Sequence, residues 1–305
     1  MDRRFDIALQ GPGLGGEALP GRVLRDVLQV FVEGTTKAVR FAFEGRSSAP
    51  GTQPNWLQPA ARFDVLQQPG HLLLTAPALE NVMPLSFMQA DFFADRSVDF
   101  SRSAIDLFDD GLQDALAGKA DSDRFDDGLV AVYANLSRIF EQGVERLEIV
   151  NGHAFAVQRD GLERVQELKR TTPPPQAVRI AGKLDAIRHH DRMFTLVLDS
   201  GLALRGVADE VEELRALFGK HAMVEGQAIF RPAGTVLRID ARRLLPATAA
   251  EATFWANVPH PLQQAGDARG LRRPQGARSG INAILGQWPG DENDEVIRAA
   301  LEDLS

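Results

Sequence analysis

The chain has no cysteine in its 305 residues. That removes disulfides, thiolate nucleophiles, Cys-ligated zinc and iron–sulfur clusters together, and leaves the redox compartment undetermined, with the cytoplasm as the default. No apolar run approaches the ~18 residues of a membrane span. The opening MDRRFDIALQG carries basic residues with no long apolar stretch behind them, so no secretory leader is expected. Also missing are G-x-S-x-G, a Walker-type lysine loop, a Ser/Lys signature, H-x-x-x-H and H-E-x-x-H. With no catalytic or ligand constellation to read, the expectation is a soluble cytoplasmic protein that is not an enzyme, holds no cofactor or metal and does not enter a membrane.

Composition is that of a globular chain, 44% apolar and 25% charged, and the length suffices for two ordinary domains with extensions. The net charge of −8 is unevenly spread: −7 over residues 1–176, +2 over 177–247, +3 over 266–280 and −5 over 281–305. An acidic body argues against general duplex-DNA binding, which is driven by phosphate neutralisation. The basic 266–280 segment leaves narrower nucleic-acid or acidic-partner contacts open.

Residues 1–171 read as an α+β domain. Phe5–Gln10 is a strand, and 21–44 a helix with Leu24, Val27, Leu28, Phe31, Ala38 and Ala42 on one face and Gly34 weakening its middle. Gly45–Pro59 is loop by composition. Arg62–Gln67 and His71–Thr75 are strands around a Gln-Pro-Gly turn. Two helices follow from Ser101, the second with Phe125, Leu129, Val132, Tyr133, Leu136 and Phe140 on one face and caps at 121–123. Glu145–Val150 and His153–Gln158 flank Asn151-Gly152, a strong hairpin signal, and Leu162–Arg170 closes the domain as a helix.

Three features here invite functional readings. Gly11, Gly13 and Gly16 satisfy G-x-G-x-x-G after a strand, but Pro20 sets the helix start well beyond the glycines, so a surface turn is the better reading than a dinucleotide site. The six histidines are scattered, and His189-His190 is expected in an exposed loop. The pairs Asp109-Asp110, Asp126-Asp127 and Glu212-Glu213 are expected on solvated helix faces or at helix N-termini.

TTPPPQ at 171–176 marks a stiff spacer, with 172–176 as the domain boundary. Beyond it, AVRIAGKLDAI, MFTLVLDSG, LALRGV, an acidic helix at Glu210–Phe218, HAMVEGQAIF and VLRIDARRL spell β-β-β-α-β-β. A helix between the third and fourth of five strands is the order of an OB-fold, and 177–247 resembles such a barrel, with Gly182 and Gly226 suited to strand bends. OB barrels often bind single-stranded nucleic acid with aromatics on bases and arginines on phosphates. That makes Arg188, Arg192, Phe194, Arg205, Phe230 and Arg231 the residues of an alternative, nucleic-acid-binding function.

Residues 248–280 read as a linker, and 281–305 as a helical, partner-binding tail. Ile281, Ile284, Leu285 and Trp288 fall at i, i+3, i+4 and i+7; after Pro289-Gly290, Ile297, Ala300, Leu301 and Leu304 repeat the spacing. Asp291 and the acids after it stand at the start of the second stripe, where carboxylates favour the helix dipole. Neither piece is long enough to be stable alone in water, and tryptophan is over-represented among interface anchors. The run GQWPGDENDE at 286–295, ending in Leu301-Glu302-Asp303-Leu304, resembles the C-terminal tails of antitoxin-type proteins encoded beside PIN-domain ribonuclease toxins. The resemblance implies a tail that wraps the toxin and occludes its acidic, metal-dependent active site. Trp288 and Ile284 would be apolar anchors, and Arg272, Arg273 and Arg278 would approach the toxin's carboxylates. Those antitoxins are short proteins, whereas this tail follows a large acidic domain and a barrel. The expected function is protein-binding adaptor, neutralising a nuclease-like partner through the tail.

Overall fold

The computed structural model describes residues 2–12, 14, 18–88, 98–151, 153–188, 192–209 and 211–262. The chain is α+β, with a five-stranded antiparallel sheet under helices followed by a closed five-stranded barrel. The elements run β1 (Arg3–Gln10), α1 (Gly21–Glu44), α2 (Leu57–Ala61), β2 (Asp64–Gln68), β3 (His71–Ala76), α3 (Leu85–Met88), α4 (Ala104–Leu116), α5 (Asp127–Ala134), α6 (Ser137–Glu141), β4 (Arg146–Asn151), β5 (His153–Val157) and α7 (Arg159–Thr171). The barrel adds β6 (Gln176–Arg188), β7 (Met193–Val197), β8 (Ala203–Ala208), α8 (Val211–Leu217), β9 (His221–Phe230), β10 (Val236–Pro246) and α9 (Ala249–Phe254).

The first sheet has the order β2-β3-β1-β4-β5. Its period-2 sequence buries one face: Phe5, Ile7 and Leu9 of β1 line up with Leu72 and Leu74 of β3 and with Leu147 and Ile149 of β4. That row meets Val27 and Phe31 of α1, Ile105, Phe108 and Leu112 of α4, and Leu162 and Val165 of α7. Gly34, expected to weaken α1, is what lets α4 approach: a Cβ there would lie 2.2 Å from the Phe108 ring. The helix expected over 125–140 is two helices. Between them Asn135, Leu136, Arg138 and Ile139 donate to carbonyls three residues back, and the Ser137 hydroxyl donates to the Ala134 carbonyl. All six residues of its apolar face are still buried. Its cap is Asp126, whose carboxylate accepts from the Leu129 N–H, rather than a residue of 121–123. The stretch read as loop also contains α2, whose Leu57 and Ala60 are fully buried.

The barrel closes in the order β10-β8-β7-β6-β9, with β8 and β10 parallel and every other pair antiparallel. With α8 between its third and fourth strands, that is an OB-like arrangement. Phe194, Leu196 and Leu198 fill it from one side, Val224, Ala228, Phe230 and Ile239 from others. Gly226 sits where β9 and β10 are closest: a Cβ would meet the Asp240 carbonyl oxygen at 2.2 Å. Gly182 does the same against Val197 at 2.5 Å.

Two boundaries differ in kind from the sequence reading. The Pro-rich 172–176 marks a change of architecture inside one compact unit, Met1–Ala265. The barrel also continues past 247 into what reads as linker. A capping box of Thr248 and Glu251 starts α9, Ala252 is buried against Ala181 and Met223, and the Trp255 carbonyl accepts from the Ala181 N–H.

Candidate functional site

The barrel meets the sheet domain at a charged junction that the strand pattern builds. The register of β10 against β9 shifts between Val236 and Arg238, so Leu237 is an extra residue. Val236 then packs on the barrel core, whereas Leu237 and Arg238 face the other domain: Leu237 joins the sheet domain's core, together with Ile229 of β9. Arg238 lies buried beside them, its guanidinium 3.1 Å from Asp126 and 2.7 Å from Asp240. Burial opposes its charge, and Asp240 and Asp126 restore it. Asp126 is thereby fully used, since it also accepts the Ser47 N–H at 3.0 Å and caps α5.

The β9–β10 turn completes the junction. Arg231 pairs with Asp123, the Thr235 hydroxyl donates to Asp121 at 2.6 Å, and the Ala233 N–H donates to the Ala120 carbonyl. Arg205 reaches Asp123 at 3.8 Å, and Arg46 crosses in the other direction to Asp209 at 2.7 Å. Apart from the Ala233–Ala120 backbone bond, each of these contacts involves an aspartate carboxylate.

The residues proposed for nucleic acid can now be placed. Phe194 and Phe230 are buried, at 3% and 1% exposure, in the barrel core, so neither ring is presented to stack on a base. Phe194 lies over Gly206, its register partner on β8, where a Cβ would come within 2.1 Å of the ring. Arg205 and Arg231 point into the junction, and Arg192, at a positive φ of 59°, sits 3.8 Å from Asp209. Arg188 ends β6. The structure therefore does not gather these six residues on one open face. The partner-binding set Arg272, Arg273, Arg278, Ile281, Ile284, Leu285, Trp288, Asp291, Ile297 and Leu301 lies outside the described residues. So do Gly13, Gly16, His189 and His190. Gly11 is a packing glycine, its α-carbon against the Gly143 carbonyl oxygen, and α1 begins only at Gly21, behind Pro20.

The Asp109-Asp110 pair, expected on a solvated helix face, is divided by the fold. In the DDGLQD run of α4, Asp110 pairs with Arg102 at 2.8 Å, but its neighbour Asp109 turns inward and is buried with no hydrogen bond to Oδ1. Burial, then the charges of Asp106 and Asp110, hold the Asp109 carboxyl well above the ordinary carboxylate range and so favour its neutral form. Asp106, one turn earlier, takes Arg3, Asn151 and the Ser103 hydroxyl and N–H. Helical position is the one signal available: residues at 105, 108, 109 and 112 share a face, and Asp109 stands on the apolar one.

Among the described residues no group of three or more His, Asp or Glu side chains could hold a metal ion. No helix there is long and apolar enough to cross a membrane. No sequence family matches the chain, nor does any curated protein or solved structure.

Proposed function

We propose that this chain is a protein-binding adaptor whose residues 281–305 dock on a protein partner, with neutralisation of a PIN-like ribonuclease as the specific form of that activity. The observation that carries the reading is the pair of apolar stripes in the tail, each spaced as a helix face, beyond the point where the chain divides at Ala265. An amphipathic helix laid in a groove is a common recognition mode, read as anchors at this spacing. The intervening segment, rich in glycine and arginine, suits a tether. The alternative, single-strand binding by the barrel, is disfavoured because Phe194 and Phe230 are buried and Arg205 and Arg231 face aspartates.

The test compares full-length protein, a 1–278 truncation and Trp288→Ala as baits for the same lysate, followed by reconstitution with the purified partner. Adaptor function predicts a partner kept by the full chain and lost by both variants, and the ribonuclease reading predicts that adding the full chain suppresses that partner's RNA cleavage. Identical capture by all three baits refutes tail docking. A salt-dependent affinity for single strands that survives truncation and falls in Arg192→Ala would favour the barrel instead.

A further inference from the structure

At one edge of the first sheet, β2 has no further strand beside it among the described residues. β2 pairs with β3 alone, and all five of its side chains are exposed. Free strand edges are usually blunted by lysine, proline, a bulge or a covering segment. Among the described residues β2 has none of these along Asp64–Gln68: its register with β3 is unbroken, and its single charge, Asp64, is at the first position. Apolar side chains stand out on both sides of the edge. Leu66, 57% exposed, is opposite Leu73 on the open face of the sheet; Val65, 40% exposed, is opposite the buried Leu74 and so faces the helices. On that helix side a groove of about 1040 Å³ runs between the strand and α1, lined by Leu28, Val32, Phe63, Val65 and Val82. Val32, on the outer surface of α1, is 55% exposed.

We propose that a second copy of this chain covers this edge, the two β2 strands pairing antiparallel about a two-fold axis to make one continuous sheet of both copies. The sequence of the strand selects this occupant. A two-fold axis perpendicular to the sheet keeps paired residues on the same face, so the partners' numbers must sum to a constant even number. One register pairs all five residues, the one centred on Leu66. It sets Leu66 against its own copy, Val65 against Gln67 and Asp64 against Gln68. The two Asp64 carboxylates then lie about 13 Å apart along the edge, at ~3.3 Å per residue. Each faces an amide that can donate to it, and no like charges oppose. An unrelated strand would need to bring its own apolar residue to Leu66 and an amide donor to Asp64, whereas the copy supplies Leu66 and Gln68 by symmetry. The exposed Val32 and the groove of each copy flank the axis and are the apolar surface that strand pairing alone does not supply.

The dimer does not rest on the adaptor function of the tail, and sedimentation velocity tests it directly. At roughly 100 µM, well above a micromolar Kd, the full-length protein should sediment at twice its 33.3 kDa mass. Leu66→Lys, which opposes two lysines at the axis, should run as a monomer with an unchanged far-UV circular dichroism spectrum, because the side chain is exposed. Mixing Leu66→Lys with Leu66→Glu should restore a species of double mass, and the 1–278 truncation should still dimerise. A monomeric wild type, a dimeric Leu66→Lys, a mixture that stays monomeric, or a dimer abolished by truncation would each overturn the proposal.

Discussion

Replacing Asp109 by asparagine should flatten the stability of this protein against pH, in a direction fixed by the site. The carboxyl is 4% exposed, its Oδ1 has no partner, and burial followed by Asp106 and Asp110 raises its pKa well above the ordinary range. In the unfolded chain the group ionises near pH ~3.9. Between that pH and the higher folded value, the native state holds a proton that the unfolded chain has released. Stability therefore falls as pH rises, by about 1.4 kcal/mol per pH unit while the folded carboxyl remains protonated. Below the unfolded pKa both states are protonated and the penalty vanishes. Asparagine is nearly isosteric and does not titrate, so its cost or gain is a constant offset. The paired carboxylates whose pKa values are lowered, Asp26 and Asp114 among them, act in the opposite sense, losing stability as pH falls, and are common to both proteins. Urea unfolding followed by tryptophan fluorescence at several pH values from ~4 to ~7 would give the difference curve. The expected result is a variant that gains on the wild type by ~1.4 kcal/mol with each pH unit over the part of the range where folded Asp109 is protonated. Parallel curves would refute the assignment of a buried neutral acid.

The junction and the α1–α4 packing give two further expectations. Arg238→Ala leaves Asp126 buried without its cation and should cost about 3–5 kcal/mol in urea unfolding; the double variant with Asp126→Ala should recover part of that, and simple additivity would count against direct coupling. Gly34→Ala should destabilise by about 1–3 kcal/mol through the clash with Phe108, against the ~1 kcal/mol gain that helix propensity alone predicts, so a raised thermal midpoint would contradict the packing account.

Much of this fold is legible because its strands are half-buried and alternate. β1, β3, β4 and the barrel strands announce themselves at period 2, and Asn151-Gly152 and Pro69-Gly70 mark hairpins that the register reproduces. What the sequence hides is relational. Arg238 and Asp126 are 112 residues apart, and neither is distinguishable by pattern from a surface charge. The extra residue at Leu237 is invisible too, since Val-Leu-Arg-Ile-Asp reads as ordinary alternation; only the shift in register turns both Leu237 and Arg238 toward the other domain. Asp109 was open to a closer reading: an acidic pair on a helix reads as solvated, but its spacing from Ile105, Phe108 and Leu112 puts Asp109, not Asp110, on the apolar face. The 248–254 segment reads as linker because a capping box and three alanines carry too little apolar pattern to announce a packed helix.

These hidden contacts also decide how the barrel can be used. An isolated OB-like barrel presents its β9–β10 turn and flanking loops to a ligand. Here that turn is committed: Arg231, Ala233 and Thr235 are bonded to residues 120–123, and Ile229 and Leu237 are packed into the neighbouring core. Freeing it would break the partly buried Arg231–Asp123 ion pair and expose two aliphatic side chains, and burying each of those is worth about 1.5–3 kcal/mol. Any ligand approaching that side must supply at least this much before it gains anything. That shifts the search for partners to the surfaces the fold leaves uncommitted: the open edge of β2 and, by its sequence pattern, the segment 281–305.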